Sequence, residues 1–267
     1  MYYKINDIAR LLNIGSQSIR RYQEQGLIVL KTDETNGYRY FDLGSINILL
    51  RIIYYKKFGY TTNEIRNLLD SDSREYLQQS LKEKRTDLQN TIDKLQMELA
   101  KIDDTLQSLS ESAEFDVCRF EEMDKVYYLQ YCKQRQLADY DEYHKLLSQW
   151  IEFMPLTNSS PSFELINGSF HHACNYGLII RDKYLLDHNL VNNENVEMLG
   201  PAKAIHCYIK CTINRKLSVK SFDSLFEFAK KEHCTIKRII GITLATYNQK
   251  NDRIRIHEIW AIIDSAC

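Results

Sequence analysis

Proline and glycine are both scarce in this 267-residue sequence, at three and nine residues. So few chain-breaking residues exclude long flexible linkers and low-complexity tracts. With hydrophobic residues at 44% and charged residues at 27%, the composition is that of an ordinary globular chain, long enough for two compact units. No CxxC pair occurs among Cys118, Cys132, Cys174, Cys207, Cys211, Cys234 and Cys267. An odd set without that spacing suits reduced, buried thiols better than a disulfide framework. Cys207, Cys211 and the neighbouring His206 lack a second ligand pair at metal-binding spacing, so no metal and no cofactor is expected. No stretch approaches the roughly 18 apolar residues of a membrane span, and the opening MYYKINDIARLL is not basic-then-apolar like an export leader. The expectation is a cytoplasmic protein without a membrane partner.

Net charge is also nearly absent, at −1, but it is unevenly spread. Residues 1–70 hold ten Lys/Arg against seven Asp/Glu, whereas residues 71–111 hold six against nine. All seven histidines lie at position 144 or beyond and all seven cysteines at 118 or beyond. The two halves are built from different residue sets, and the basic excess belongs to the first.

In that first part, INDIARLL puts Ile5, Ile8, Ala9 and Leu12 on one helical face, with Asn6 as candidate cap. The turn NIGS follows, and Ser16 is a candidate cap for a second helix, SQSIRRYQEQG, that stops at Gly26. Two short helices joined by a tight glycine turn read as a helix-turn-helix. Leu27–Leu30 and Tyr38–Phe41 are β-prone runs around KTDETNG, whose Asn36-Gly37 is a hairpin signal, giving a wing. Residues 45–58 and 62–69 read as two further helices separated at Gly59, with Thr61 or Thr62 capping the second. Recognition helices put N-terminal side chains on base edges while nearby basic and aromatic groups hold phosphates. The candidate DNA-binding residues are therefore Gln17, Ser18, Arg20, Arg21, Tyr22, Lys31, Tyr38, Arg39, Tyr40 and Lys56, and packing of the tyrosines into the small core is the alternative.

Residues 73–110 contain neither Gly nor Pro, and Leu88, Ile92, Leu95, Leu99, Ile102, Leu106 and Leu109 recur at steps of four and three. This is a heptad seam. A helix on the order of 55 Å long, at 1.5 Å per residue, needs a partner for such a stripe, and a second copy of the chain supplies one. Lys82, Lys84 and Arg85 precede Asp103, Asp104 and Glu111, which favours an antiparallel pair. One arm of an internal helical hairpin is the alternative, although no matching second arm is evident.

After Glu114 the pattern alternates: KVYYLQYC, a helix from Asp139 to Phe153, β-rich SFHHACNYGLIIRD, then KAIHCYIKC, a helix from Val219 to His233, IIGITLATY and RIRIHEIWAII. This order suggests two rough strand-helix-strand-strand halves. Alternation along the last strand sends Ile254, Ile256, Glu258, Trp260 and Ile262 to one face and Arg253, Arg255 and His257 to the other. A carboxylate on an apolar face needs either a protein cation or a ligand. Around Glu258, the aromatics Tyr143, Trp150, Tyr176, Tyr208, Tyr247 and Trp260 are candidate cavity walls for an aromatic or cationic ligand, each with core packing as its alternative.

The segments IRRYQEQGLI, NGYRYFD and KKFGYTTNEI resemble the N-terminal domain of MerR-type regulators over about residues 2–70. Arg21 and Gln23 stand where an aromatic and an acidic residue are more usual, and the wing lacks the common proline. The resemblance implies a homodimer with an antiparallel coiled coil on a pseudo-palindromic promoter, whose DNA it distorts for RNA polymerase. Metal-sensing members use cysteines near the dimer helix, and residues 71–111 have none. The closing HEIWAII resembles, over about residues 115–267, the gyrase-inhibitor-like effector domain of the BmrR-like multidrug-sensing type, without its usual proline. Such members also use a carboxylate in the preceding strand, where Ile239-Ile240-Gly241-Ile242 stands here.

The expected fold is thus multidomain. A winged helix-turn-helix (1–70) is followed by a coiled-coil dimerisation helix (71–112). An α+β effector-binding domain with an antiparallel sheet, in two strand-helix-strand-strand repeats, occupies 113–267. The expected function is a dimeric, bacterial, nucleoid-associated activator responding to a small lipophilic or aromatic effector, with double-stranded promoter DNA, RNA polymerase and a second copy as partners. No catalytic residue is expected. A small-molecule hydrolase and a ligand-independent DNA-bending repressor are the alternatives.

Overall fold

The computed structural model describes residues 3–32, 39–133, 136–137, 140–166, 169–170, 174–212, 217, 219–250 and 252–264. At 39, 133, 140–143, 166, 169–170 and 219 the description is of the main chain. The chain divides into two compact units, 1–91 and 92–267. No helix among the described residues is long and apolar enough to cross a membrane.

In the first unit, α1 (Ile5–Leu11) and α2 (Ser16–Glu24) form the helix-turn-helix, a short antiparallel pair β1 (Lys31–Thr32) and β2 (Arg39–Tyr40) follows, and α3 (Leu43–Lys57) and α4 (Thr62–Asp70) complete it. The wing turn at Asn36-Gly37 lies outside the described residues. Ile8, Ile19, Phe41, Leu49, Ile52 and Ile65 make one fully buried core. Gly26 and Gly59 close α2 and α3 with positive φ, the left-handed backbone that glycine adopts without a Cβ penalty.

The helix starts depart from expectation. Lys4, not Asn6, holds the cap position of α1, and Gly15 that of α2, each without a side-chain bond. Asn6 and Ser16 lie inside their helices. Leu27–Leu30 is not a strand, because Leu27 and Ile28 turn into the helical core instead of joining a ladder. Two later starts are built strongly. Asp42 accepts from Ser45 N and Oγ, both at 2.8 Å, and pairs with Lys31 Nζ at 3.1 Å, which together hold its carboxyl down at about 2. Thr61 and Glu64 form a full capping box on α4.

Helix α5 (Arg74–Glu111) runs 38 residues. In the second unit it leads to β3 (Arg119–Met123), β4 (Val126–Lys133), β5 (Gln136–Leu137), α6 (Tyr140–Glu152), β6 (Thr157–Ile166), β7 (Ser169–Phe170), β8 (Asn175–Arg181) and β9 (Val196–Leu199). Then follow β10 (Ala202–Thr212), a 3₁₀ turn at Val219–Phe222, α7 (Asp223–Lys231), β11 (Ile236–Gln249) and β12 (Asp252–Ile263).

Among the described residues these strands make one antiparallel sheet in the order β3-β10-β12-β11-β6-β8-β4-β5, with β7 on β6 and β9 on β4. Both repeats, β4-α6-β6-β8 and β10-α7-β11-β12, place their strands in the order first, third, second. They meet head to head, in reversed strand order, where β6 pairs β11 antiparallel from Arg238↔Glu164 to Ile240↔Ser162. The duplication expected from element order is present in the topology. Helix α6 covers Leu129, Leu178 and Ile180, with Trp150 buried beneath it, and α7 covers Ile205, Cys207, Ile259 and Ala261. The residues between these in each strand, Tyr128, Ile179, Ala204, Ile240 and Ile242, form a further core on the opposite face. Glu258 belongs to that face.

Candidate functional site

Glu258 sits in the middle of β12, opposite Tyr208 of β10 on one side and Ile242 of β11 on the other. It is 3% exposed. The alternation that aims it inward also aims His206 and Tyr208, two residues apart on β10, and Trp260, two residues along β12. From the other repeat comes Arg181, the last residue of β8, on the same face as Ile179. Its Nη2 donates to both carboxylate oxygens of Glu258 at 2.7 Å. Trp260 Nε1 donates to Oε1 at 3.1 Å. Burial pushes the Glu258 carboxyl up, but the adjacent His206 and the Arg181 guanidinium outweigh it and hold the group below its ordinary value. Of the two partners open to this carboxylate, the protein cation is present.

Helix α5 closes the site from above with a stripe of residues at steps of four and three. Asp104 bonds Lys183 Nζ and Tyr184 Oη and lies 3.7 Å from Arg181 Nη1. Glu111 accepts from Tyr208 Oη at 3.0 Å and from Arg119 Nη2 at 3.2 Å. Lys101, on the same stripe, is buried with its ammonium 5.3 Å from the Tyr184 ring centre. Burial and the neighbouring Arg181 lower it to about 8, against opposing pulls from Glu258 and Asp104.

Asp104, Glu111, Arg181, His206, Tyr208, Glu258 and Trp260 line a cavity of about 320 Å³, with Glu121, Glu122 and Asp124 at its β3 side. His206 is its least satisfied member. The ring stacks at a tilt on Trp260, 4.3 Å between centres, and meets Tyr208 edge-on at 4.9 Å. Its Nδ1 and Nε2 lie 3.5 Å from carboxylates of Glu121 and Glu258, yet neither nitrogen makes a hydrogen bond, although the residue is 2% exposed.

Of the aromatics expected around Glu258, the cavity contains Tyr208 and Trp260. Trp150 is corrected to core: it is fully buried under α6 and its Nε1 donates to Leu190 O at 3.1 Å. Tyr247 is exposed far along the β11–β12 hairpin, and Tyr176, on β8 across from Cys132, also stands outside. The Tyr143 side chain lies outside the described residues. The walls are more charged than expected, since Arg181, Asp104 and Glu111 come from positions without a local sequence signature. His206 was legible in the alternation of KAIHCYIKC, which gives it the face of Tyr208.

In the first unit, Gln17, Ser18, Arg20 and Arg21 form the exposed face of α2, while Tyr22 is half-buried against the core. Lys31 is exposed beside Asp42, and Tyr40 is half-buried. Lys56 is engaged instead at the α3–α4 junction, donating to Thr62 Oγ1 at 3.0 Å. Tyr38 and the Arg39 side chain lie outside the described residues. Not anticipated is Arg51, whose guanidinium is 5.3 Å from the ring centre of exposed Tyr54.

Along α5, Leu88, Ile92, Leu95, Leu99, Ile102 and Leu106 are all exposed, Leu99 at 60%, and Leu109 is half-buried.

Residues 3–72 match the family model described as MerR HTH family regulatory protein. The chain is 27% identical over 112 residues to the multidrug-efflux transporter 2 regulator of Bacillus subtilis, covering 42% of this chain and 41% of that one. It is 32% identical over 65 residues to the HTH-type transcriptional regulator CueR of Vibrio cholerae, covering 24% and 47%. The matches thus span less than half the length of these curated relatives. A cryo-EM structure of an EcmrR–DNA complex aligns over 98% of this chain and 99% of its own, at 15% identity and a TM-score of 0.37. Over residues 3–72 the first unit, with its two-helix motif, short hairpin and capped helices, is thus similar to the MerR HTH family.

Proposed function

We propose that the chain is a dimeric, ligand-responsive transcription regulator. In this reading α2 reads a pseudo-palindromic promoter, two α5 seams join the copies, and a small compound in the Glu258 cavity switches on transcription by distorting the bound DNA. Bending or untwisting such a site costs about 1 to 10 kcal/mol, within reach of a ligand that favours one state. The single observation that carries ligand sensing is the cavity itself: several carboxylates, two aromatic rings and a buried histidine whose nitrogens come no closer than 3.5 Å to a carboxylate, in a volume of about 320 Å³. Buried polar nitrogens held only by such long contacts are incompletely satisfied, so an occupant that bonds one of them at shorter range is favoured there. Trp260 and Tyr208 suit an aromatic body, and the acidic walls suit a positive or hydrogen-bond-donating group.

The reading is of a binding protein and not of an enzyme. Glu258 is clamped as a carboxylate by Arg181, which makes it a poor proton donor and a hindered base. The test is transcription from the chain's own promoter region with purified polymerase, titrated with a panel of aromatic amines and quaternary ammonium dyes. At least one that raises the melting temperature of the protein is expected to raise transcript yield with little change in DNA affinity. Unchanged yield with every compound that binds overturns the proposal.

A further inference from the structure

Among the described residues, Cys118 and Cys207 are the cysteine pair that the ladder brings face to face. The β3–β10 register runs from Ala202↔Met123 to His206↔Arg119, so the next step sets Cys207 across from Cys118. The chain stays close beyond that point, since Asp116 N donates to Tyr208 O at 2.9 Å. Both residues belong to the cluster under α7, Cys207 buried and Cys118 half-exposed. Directly opposed residues of an antiparallel pair have Cα atoms about 4.5 to 5.5 Å apart, inside the roughly 4.4 to 6.8 Å span that a disulfide bridges without backbone movement.

We propose that Cys118 and Cys207 form a reversible redox site, closed to a disulfide by hydroperoxides. The half-exposed Cys118 sulfur attacks one peroxide oxygen. An S–O bond forms, the O–O bond breaks, and the other oxygen leaves as water with the thiol proton. The Cys207 sulfur then attacks the sulfenic sulfur, an S–S bond replaces S–O, and the hydroxyl leaves as water with the Cys207 proton. Two thiols lose two electrons and one hydrogen peroxide becomes two waters.

The assignment of roles follows from exposure and neighbours. Hydrogen bonding from Cys207 lowers the Cys118 thiol, while the same contact and burial raise Cys207. Burial raises Cys174 to about 11 and also raises Cys211, so they are poorer nucleophiles. The crosslink would tie the segment entering the sheet from α5 to the strand that carries His206 and Tyr208. Oxidation would therefore act on one wall of the cavity without depending on what the cavity binds.

The experiment treats the full-length protein with hydrogen peroxide and maps peptides by mass without reduction. The expected product joins the Cys118 and Cys207 peptides with loss of two hydrogens and returns to thiols with dithiothreitol. The melting temperature of the oxidised form rises by roughly 5 to 10 °C and falls back on reduction. In Cys207→Ala the crosslink is absent and dimedone captures a sulfenic acid at Cys118. If the variant is misfolded, the wild-type map decides alone. Recovery of both peptides as thiols, or Cys118 carried to sulfinic acid beside an intact Cys207 thiol, overturns the proposal.

Discussion

Arg181 and Glu258 are a buried ion pair whose members come from different repeats, 77 positions apart. Taking two charges from water is expensive, and such a pair does not by itself favour folding over an apolar pair of similar size. Removing one partner is different, because the other charge stays buried. Arg181→Met or Glu258→Met alone is expected to cost about 3 to 5 kcal/mol in urea denaturation, and the double variant to recover most of that loss. Costs that simply add would show that the groups do not depend on each other. The pair also bears on the ligand: a cation entering the cavity must compete with a guanidinium already bound to both oxygens of Glu258. The sequence pointed to Glu258 through its position among apolar neighbours on one strand. It could not point to Arg181, since no local pattern records which distant strand end will lie beside it. Trp150 failed as a cavity residue for the converse reason. An aromatic on an amphipathic helix looks the same whether it meets a ligand or Leu129 and Leu178.

The elements were more legible than the contacts between them. Gly26, Gly59, Thr61 and the unbroken heptads marked ends and lengths through local chemistry that tertiary packing leaves alone. β6 was missed because its buried positions include Ser160 and Ser162 beside Pro161, which carry little β signal. Helix α5 was half read. Its seam was plain, but Met97, Lys101, Asp104, Ser108 and Glu111 form a second stripe, offset from the seam by two residues or about 200°. Polar apart from Met97, it carries no sequence pattern that tells a covered face from a solvated one. Lys101 is the member with a measurable cost. Its ammonium is held at about 8 in the folded chain, below the ordinary lysine value, so between that point and about 10.4 the unfolded state keeps more protons. Stability therefore gains as pH rises through this window. Lys101→Met is expected to stabilise by roughly 1 to 3 kcal/mol at pH 7, with the gain shrinking toward pH 10. Urea midpoints at the two pH values check it, and a loss at pH 7 would mean that Glu258 and Asp104 need the ammonium more than burial penalises it.

At the scale of the whole molecule, the question is what covers the exposed seam. The charge argument for antiparallel pairing weakens on inspection, because Asp104 and Glu111 are engaged within the second unit, and Lys84 pairs with Asp87 and lies over the Tyr60 ring. The apolar argument stands. Six leucines and isoleucines at heptad spacing are exposed in a single chain, a contiguous stripe that isolated soluble proteins rarely leave uncovered. Because these side chains are already exposed, Leu99→Glu with Leu106→Glu should change the stability of a single chain little, within about 0.5 kcal/mol per site. In a dimer the same two changes bury four carboxylates against an apolar seam. The wild type is expected to sediment as two copies and the variant as one, with both retaining the same helical circular dichroism signal per residue. Operator affinity should then fall by about 100-fold or more, since one copy engages a single half-site without the effective concentration that linkage provides. A variant that still sediments as two copies would place the dimer interface elsewhere. A single-copy wild type that protects both half-sites would remove the need for the seam in DNA binding.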